Sequence, residues 1–308
     1  MALDHTASGV YVIAPTPFHD DGRVDEASTD RMTDFFMEAG ATGITVLGVM
    51  GEAPKLDQAE ALSIATRMIK RASIPIVVGV SAPGFAAMRA LARGSMDAGA
   101  AGVMIAPPNT LRTDDQIVTY YRQAVEAIGA DVPFVLQDYP LLFQVQMTPG
   151  VIKRIVTDNP SCVMLKAEDW PGLEKISTLR AWQAEGSLRP ISILCGNGGL
   201  FIDFEVERGA DGAMTGYAFP DMLVEVVGKL QAGQRDSAHD LFDAHLPLIR
   251  YEQQFGLGLA VRKYVMKRRG IIASDAQRKP GGMLSAKAVA EVEYLLGRLA
   301  QHDPRAKV

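Results

Sequence analysis

Cysteine is scarce: Cys162 and Cys195 are the only two in 308 residues. Each stands inside an apolar run rather than in a C-x-x-C pair. That excludes a secreted disulfide framework, so both read as reduced core thiols and the cytoplasm is the expected compartment. The histidines (His5, His19, His239, His245 and His302) show neither H-E-x-x-H nor paired-ligand spacing. No apolar run approaches the ~20 residues of a membrane span, and the stretch from Met1 to Ser8 lacks a basic-then-apolar signal pattern. An excess of one charge is also missing. The 31 Lys and Arg against 36 Asp and Glu leave a net charge of −5, which gives no reason to expect nucleic acid or a membrane surface as partner. Nothing is low-complexity.

The sequence does contain a repeated unit. Eight short apolar runs occur along the first 216 residues: Val10–Ala14, Ile44–Leu47, Pro75–Val80, Val103–Ala106, Pro133–Gln137, Cys162–Lys166, Ile191–Cys195 and Ala213–Thr215. Helix-length segments separate them, and strands alternating with helices predict a parallel sheet wrapped by helices. The runs are continuously apolar, as strands buried on both faces require. Asp25 to Ala39 opens with acidic residues and stops at Gly40, Asp57-Gln58-Ala59-Glu60 reads as a capping box, and Asp114 is the expected cap of Gln116–Ile128. Ala39–Gly43, Ala98–Gly102 and Arg208–Gly212 repeat one glycine-closed turn from helix to strand, as in a single repeated βα unit.

Eight such units predict a closed (β/α)₈ TIM barrel over residues 1–232. A doubly wound open sheet is the alternative, but no G-x-G-x-x-G follows the first strand. After Gly216 the alternation stops. Ser237–Gln254, Leu257–Arg269 and Ala286–Ala300 read as helices of a C-terminal helical extension, residues 233–308, packed on the barrel.

Barrel chemistry lies at the C-terminal ends of the strands. Those ends are Pro15-Thr16-Pro17, Gly48 to Glu52, Ser81, Pro107-Pro108-Asn109, Gln137-Asp138-Tyr139, Lys166 with Glu168, Gly196-Asn197 and Thr215-Gly216-Tyr217. They hold one lysine, Lys166, on the same strand face as Met164 by the period of two. A buried ammonium is costly, and a neutral amine attacks carbonyls to form Schiff bases. The other reading is a lysine that reaches the rim and pairs with Glu168. Glu52, Asp138, Glu168 and Asn197 offer oxygen ligands to Mg²⁺ or Mn²⁺, but no spacing marks them, so no metal and no cofactor is expected. Gly196-Asn197-Gly198-Gly199 lacks the Lys-Ser/Thr of a phosphate-binding loop.

These ends resemble the dihydrodipicolinate synthase and N-acetylneuraminate lyase family of class I aldolase barrels. The resemblance runs through Gly9-Val10, Pro15-Thr16-Pro17-Phe18, Gly48-Val49-Met50-Gly51-Glu52 in place of G-T-T-G-E, and Pro107-Pro108. It continues in Gln137-Asp138-Tyr139-Pro140 for Y-N-x-P, Leu165-Lys166 for I-K, and Gly209-Ala210-Asp211-Gly212 for G-A-x-G. It implies a homotetramer in which Lys166 forms an imine with pyruvate or another 2-keto acid. The family's relay of tyrosine, threonine and a partner-lent tyrosine falls on Gln137, Val49 and Asn109. Met50 replaces the threonine that helps hold the substrate carboxylate, and the synthase's carboxylate-binding arginine falls at about Leu142. Dihydrodipicolinate synthesis is therefore disfavoured. The 2-keto-3-deoxy sugar acid dehydratases, L-2-keto-3-deoxyarabonate dehydratase among them, are more similar. They match at Gln137-Asp138 with Pro140, Gly212 to Gly216, Phe219-Pro220-Asp221 and Leu246-Pro247-Leu248-Ile249.

The expectation is thus a Schiff-base lyase, dehydratase or aldolase, on a small 2-keto acid. Lys166, Glu168 and Tyr139 are the catalytic candidates, and Gly48, Val49, Met50, Gln137, Gly196, Asn197, Met214 and Thr215 the substrate-binding ones. Synthase-like condensation of pyruvate and a non-catalytic keto-acid binder remain the alternatives.

Overall fold

A computed structural model describes residues 2–308. The barrel half runs β1 (Gly9–Ile13), α1 (Glu26–Glu38), β2 (Gly43–Val46), α2 (Gln58–Arg71), β3 (Ile76–Gly79), α3 (Phe85–Ala98), β4 (Gly102–Ile105), α4 (Asp114–Ile128) and β5 (Phe134–Asp138). It continues with the single turn α5 (Pro140–Phe143), α6 (Pro149–Asp158), β6 (Cys162–Ala167), α7 (Leu173–Ala184), β7 (Ser192–Cys195), α8 (Ile202–Glu207), β8 (Gly212–Ala213) and α9 (Pro220–Gln231). Then come α10 (Arg235–Glu252), α11 (Gly258–Arg268) and α12 (Ala286–Leu299).

All eight strands pair in parallel in sequence order, and β8 closes on β1 through Gly9↔Gly212 and Val10↔Ala213. The open-sheet alternative is thereby ruled out. The last strand is shorter than the apolar run suggested. Gly212 approaches the Gly9 backbone so closely that a Cβ would collide with it, and regular pairing ends at Ala213.

Strand alternation sorts the core into two clusters. Tyr11, Ile13, Val77, Met104, Val135, Met164, Leu194 and Met214 fill the barrel interior. Val10, Val12, Ile44, Val78, Leu136 and Leu165 face the helix layer. One irregularity matters for the site. Phe134 pairs with Cys162 but Val135 with Met164, so β6 carries one extra residue, Val163, at this step. The shift sets Gln137 beside Lys166 on the inward face.

Local signals act largely as read. Gly40, Gly99 and Gly209 take left-handed φ values of 82°, 104° and 98° in the three repeated turns. Asp57 and Glu60 form their capping box. One cap is corrected: Thr113, not Asp114, accepts from the Gln116 N–H and forms the capping box, leaving Asp114 in the first turn of α4. Thr113 has the extended backbone that a cap needs. Helix α10 packs on α9 and α12 on α10. His245 on α10 ties Tyr217 to Asp303 through bonds of 2.9 and 2.8 Å.

Candidate active site

The inward face of β6 reads Met164 then Lys166, as the period of two requires. Met164 is sealed in the interior, whereas Lys166 stands one step nearer the mouth and borders a cavity of about 370 Å³. Its Nζ lies 3.1 Å from Glu168 Oε2, with both side chains only 6% exposed. Glu168 is held from two further directions. Gln137 Nε2 donates to Oε2 at 2.7 Å, and the Asn197 N–H donates to Oε1 at 3.1 Å. Gly196 is required by this arrangement, because a Cβ there would collide with the Glu168 side chain.

Tyr139 follows β5 and lines the same cavity, with its ring edge-on to Phe143. Burial, reinforced by the Glu168 carboxylate and opposed by Arg262, pushes its phenol up to about 12. It therefore keeps its proton at neutral pH, as a proton donor must. Asp138 points the other way, into the helix layer, where Lys175 Nζ binds it at 2.6 Å and also binds Asp169. Burial pushes the Asp138 carboxyl up to about 6 against the pull of Lys175.

Val49, Met50, Gln137, Tyr139, Lys166, Glu168, Asn197 and Thr215 all line the cavity. Three candidates do not. Gly48 is packed against Ile13 and Met104, Gly196 lies behind Glu168, and Met214 is sealed in the interior cluster because its strand position points below the mouth. Asn109 is exposed, and its carbonyl accepts from Arg112. Glu52 does not touch Lys166. It accepts from Lys55 at 2.7 Å and from the fully buried Lys263 at 2.5 Å. The oxygen ligands considered above do not converge: among the described residues, no group of three His, Cys, Asp or Glu side chains is placed to hold a metal ion.

The segment after residue 232 contributes more to the site than its reading as packing suggested. Glu252, Gln253, Phe255 and Arg262 border the cavity, as do Gln277 and Pro280 of the loop before α12. Arg262 donates through Nε to Glu252 and through Nη2 to the Gly216 carbonyl. Burial pushes the Glu252 carboxyl upward, with Arg262 opposing. A signal was present in the sequence: Arg262 and Lys263 interrupt the otherwise apolar run Leu259–Met266. The mouth is apolar, ringed by Val49, Leu141, Leu142, Trp170 and Phe255, which are all exposed.

A closed barrel with a buried lysine–carboxylate pair opening into a cavity at the C-terminal strand ends is the arrangement of a (β/α)₈-barrel enzyme. The chain belongs to the dihydrodipicolinate synthetase family, which residues 6–299 match, and is an enzyme of its lyase type. The crystal structure of dihydrodipicolinate synthase from Rhodopseudomonas palustris is 70% identical with a TM-score of 0.96, covering 97% of this chain and 99% of that one. L-2-keto-3-deoxyarabonate dehydratase of Azospirillum brasilense is 27% identical over 297 residues, 94% of either chain. 4-Hydroxy-tetrahydrodipicolinate synthase of Chlorobium luteolum is 28% identical over 290 residues, 92% of this chain and 95% of its own. Among the described residues, no helix is long and apolar enough to cross a membrane.

Proposed function

We propose that this enzyme is a Schiff-base lyase that acts on a 2-keto-3-deoxy sugar acid or a similar small 2-keto acid through Lys166. The observation that carries the reading is the Lys166–Glu168 contact of 3.1 Å at the edge of the cavity. Glu168 takes the proton that frees the amine, and Lys166 Nζ attacks the C2 carbonyl. Glu168 returns that proton to the carbinolamine hydroxyl, which leaves as water, and the resulting iminium withdraws electrons from C3.

In the dehydration branch, Glu168 removes a C3 proton and the C4 hydroxyl departs as water, protonated by Tyr139. In the aldol branch, the same carboxylate takes the proton of the C4 hydroxyl and the C3–C4 bond breaks. Its electrons pass to the iminium, an aldehyde leaves, and C3 is then protonated. In the dehydration branch the proton taken by Glu168 then replaces the one Tyr139 gave up, and in both branches hydrolysis of the imine releases the keto product and restores Lys166. The resemblance of this chain to the A. brasilense dehydratase supports the first branch.

A second reading is condensation of pyruvate with aspartate semialdehyde, which the name of the R. palustris structure favours. Against it stand the side chains at the mouth. Leu142 and Val49 are apolar where that chemistry has an arginine and a hydroxyl, and Gln137 is already bonded to Glu168. A third is a binder that captures the keto acid without turnover.

Borohydride reduction in the presence of pyruvate, followed by peptide mass spectrometry, tests the common step. A reduced pyruvyl adduct on Lys166, absent from Lys166→Ala, is expected. No adduct with any 2-keto acid would overturn the proposal. Turnover of a panel of 2-keto-3-deoxy sugar acids, with pyruvate plus aspartate semialdehyde alongside, then separates the three readings.

A further inference from the structure

Below Lys166 the barrel is sealed by Met104, Met164, Leu194 and Met214, so a substrate held at C2 by that amine extends its far end toward the mouth. Among the described residues, the N–H groups of Val49 and Met50 in the turn after β2 bond to no carbonyl and are left for the C1 carboxylate. The tail from C4 onward needs partners of its own. Val49, Leu141 and Leu142, after β2 and β5, offer it only apolar surface. Asn197 and Thr215, after β7 and β8, offer polar groups, as does Gln253. The cations that border the cavity each already pair with a carboxylate: Lys55 with Glu52, Lys166 with Glu168 and Arg262 with Glu252. An uncharged, hydroxylated tail suits this wall better than an anionic one.

Four glutamines border the cavity. Gln137 donates to Glu168, Gln254 to the Tyr251 carbonyl and Gln277 to the Gly282 carbonyl, at 2.7, 2.8 and 2.8 Å. The fourth, Gln253, makes no side-chain hydrogen bond among the described residues, yet its amide is held in place. It stands at the end of α10 and lies on the loop after β7, where a Cβ on Gly198 would come within 1.5 Å of its Nε2. Gly198 takes a left-handed φ of 68° and, like Gly199, brings no side chain to this loop. The place beside Asn197 is filled instead by the amide from α10. Donor and acceptor of that amide are both free, and a hydroxyl, which also has both, is the group that matches them. An amide fixed against the loop before substrate enters loses little freedom on binding.

We infer that Gln253 binds the hydroxyl that follows C4 in the substrate and so sets a preference for keto acids with an uncharged, hydroxylated tail. The inference rests on the keto-acid reading above. It makes the end of α10 part of the substrate site and gives the glycines after β7 the task of making room for it.

The test compares two substrates of the same C4 configuration that differ by one hydroxyl. These are 2-keto-3-deoxypentonate, with a hydroxyl on C5, and 4-hydroxy-2-ketopentanoate, whose C5 is a methyl. The ratio of their kcat/KM values should favour the pentonate in wild type. In Gln253→Leu it should fall about 3- to 10-fold, the worth of one neutral hydrogen bond. A ratio that does not fall, including a loss shared equally by both substrates, would overturn the inference. Gln253→Ala serves should leucine disturb the loop after β7. A readout independent of turnover is the rise in melting temperature that each compound gives Lys166→Ala. A larger rise with the pentonate that disappears on adding Gln253→Leu supports the glutamine even where neither compound is turned over. Equal rises with Gln253 present, or a difference that persists without it, refute it. Failure of the keto-acid reading itself shows separately, as the absence of a pyruvate adduct on Lys166 after borohydride.

Discussion

Two roles for Glu168 separate cleanly by experiment. As a holder, it keeps Lys166 in place through the 3.1 Å contact. As a base, it moves the C3 or C4-hydroxyl proton. Glu168→Gln retains the shape and the acceptor oxygen but cannot take a proton. If the carboxylate is the base, kcat should fall by roughly 10²–10⁴-fold while pyruvate is still trapped on Lys166. Loss of trapping itself would place the need for Glu168 at imine formation, where it holds Lys166 and takes its proton, rather than at the C3 or C4-hydroxyl proton. The ring of contacts from Gln137 and Asn197 favours a fixed carboxylate, since it orients both oxygens before substrate enters. Val49 and Leu142 leave their side of the cavity apolar.

At the scale of elements, the site depends on where strands end and how closely loops approach. The extra residue Val163 in β6 aligns Gln137 with Lys166; without it every inward side chain above the shift would change face. The loop after β7 lies directly against the Glu168 side chain, with Gly196 in contact. Gly196→Ala should displace the Glu168 carboxylate and lower kcat much as Glu168→Gln does. The overpacking should also cost about 1–3 kcal/mol in stability, measured by denaturant unfolding. A variant with wild-type kcat would show that the β7 loop moves aside freely and that the contact is not what sets the carboxylate. The Thr113 cap makes a smaller point about elements. Thr113 and Asp114 are both capping residue types, and the backbone conformation at the helix start chose between them.

For the whole molecule, the titration of buried carboxyls sets a pH dependence of stability. Glu205 on α8 packs beside Cys195, its Oε2 is buried without a partner, and burial pushes its carboxyl up to about 8 from an ordinary 4.5. The native state therefore holds a proton that the unfolded chain has released across this window. Its stabilising contribution is complete below about 4.5 and is lost as pH rises through about 8. Glu205→Gln, which cannot ionise, should melt higher than wild type at pH 8, and the gap should shrink on going down to about pH 5. A gap that is constant with pH would contradict the assignment. The C-terminal segment, which borders the mouth, is fastened to the barrel by Lys263 with Glu52, by Arg278 with Glu60 and by Arg269 with Asp221.

The eight strands, the glycine-closed turns and the inward face shared by Met164 and Lys166 were legible because each follows from a short periodic pattern that parallel strands impose wherever they form. Gly48, Gly196 and Met214 were legible as strand-end residues but not as non-lining ones, since depth along the barrel axis depends on how far each strand is sheared against its neighbours. Arg262, Glu252 and Phe255 were not legible as site residues. Glu252 and Arg262 lie on α10 and α11 and Phe255 between them; these are brought to the mouth by packing of α10 on α9 and of α11 on α10, and no local periodicity records where a folded helix will be laid down. The sequence by itself determined a barrel with a lysine at the end of its sixth strand, because strand alternation is a local property. Only the tertiary structure decided what surrounds that amine, because the surrounding groups are brought there by contacts between segments far apart in the chain.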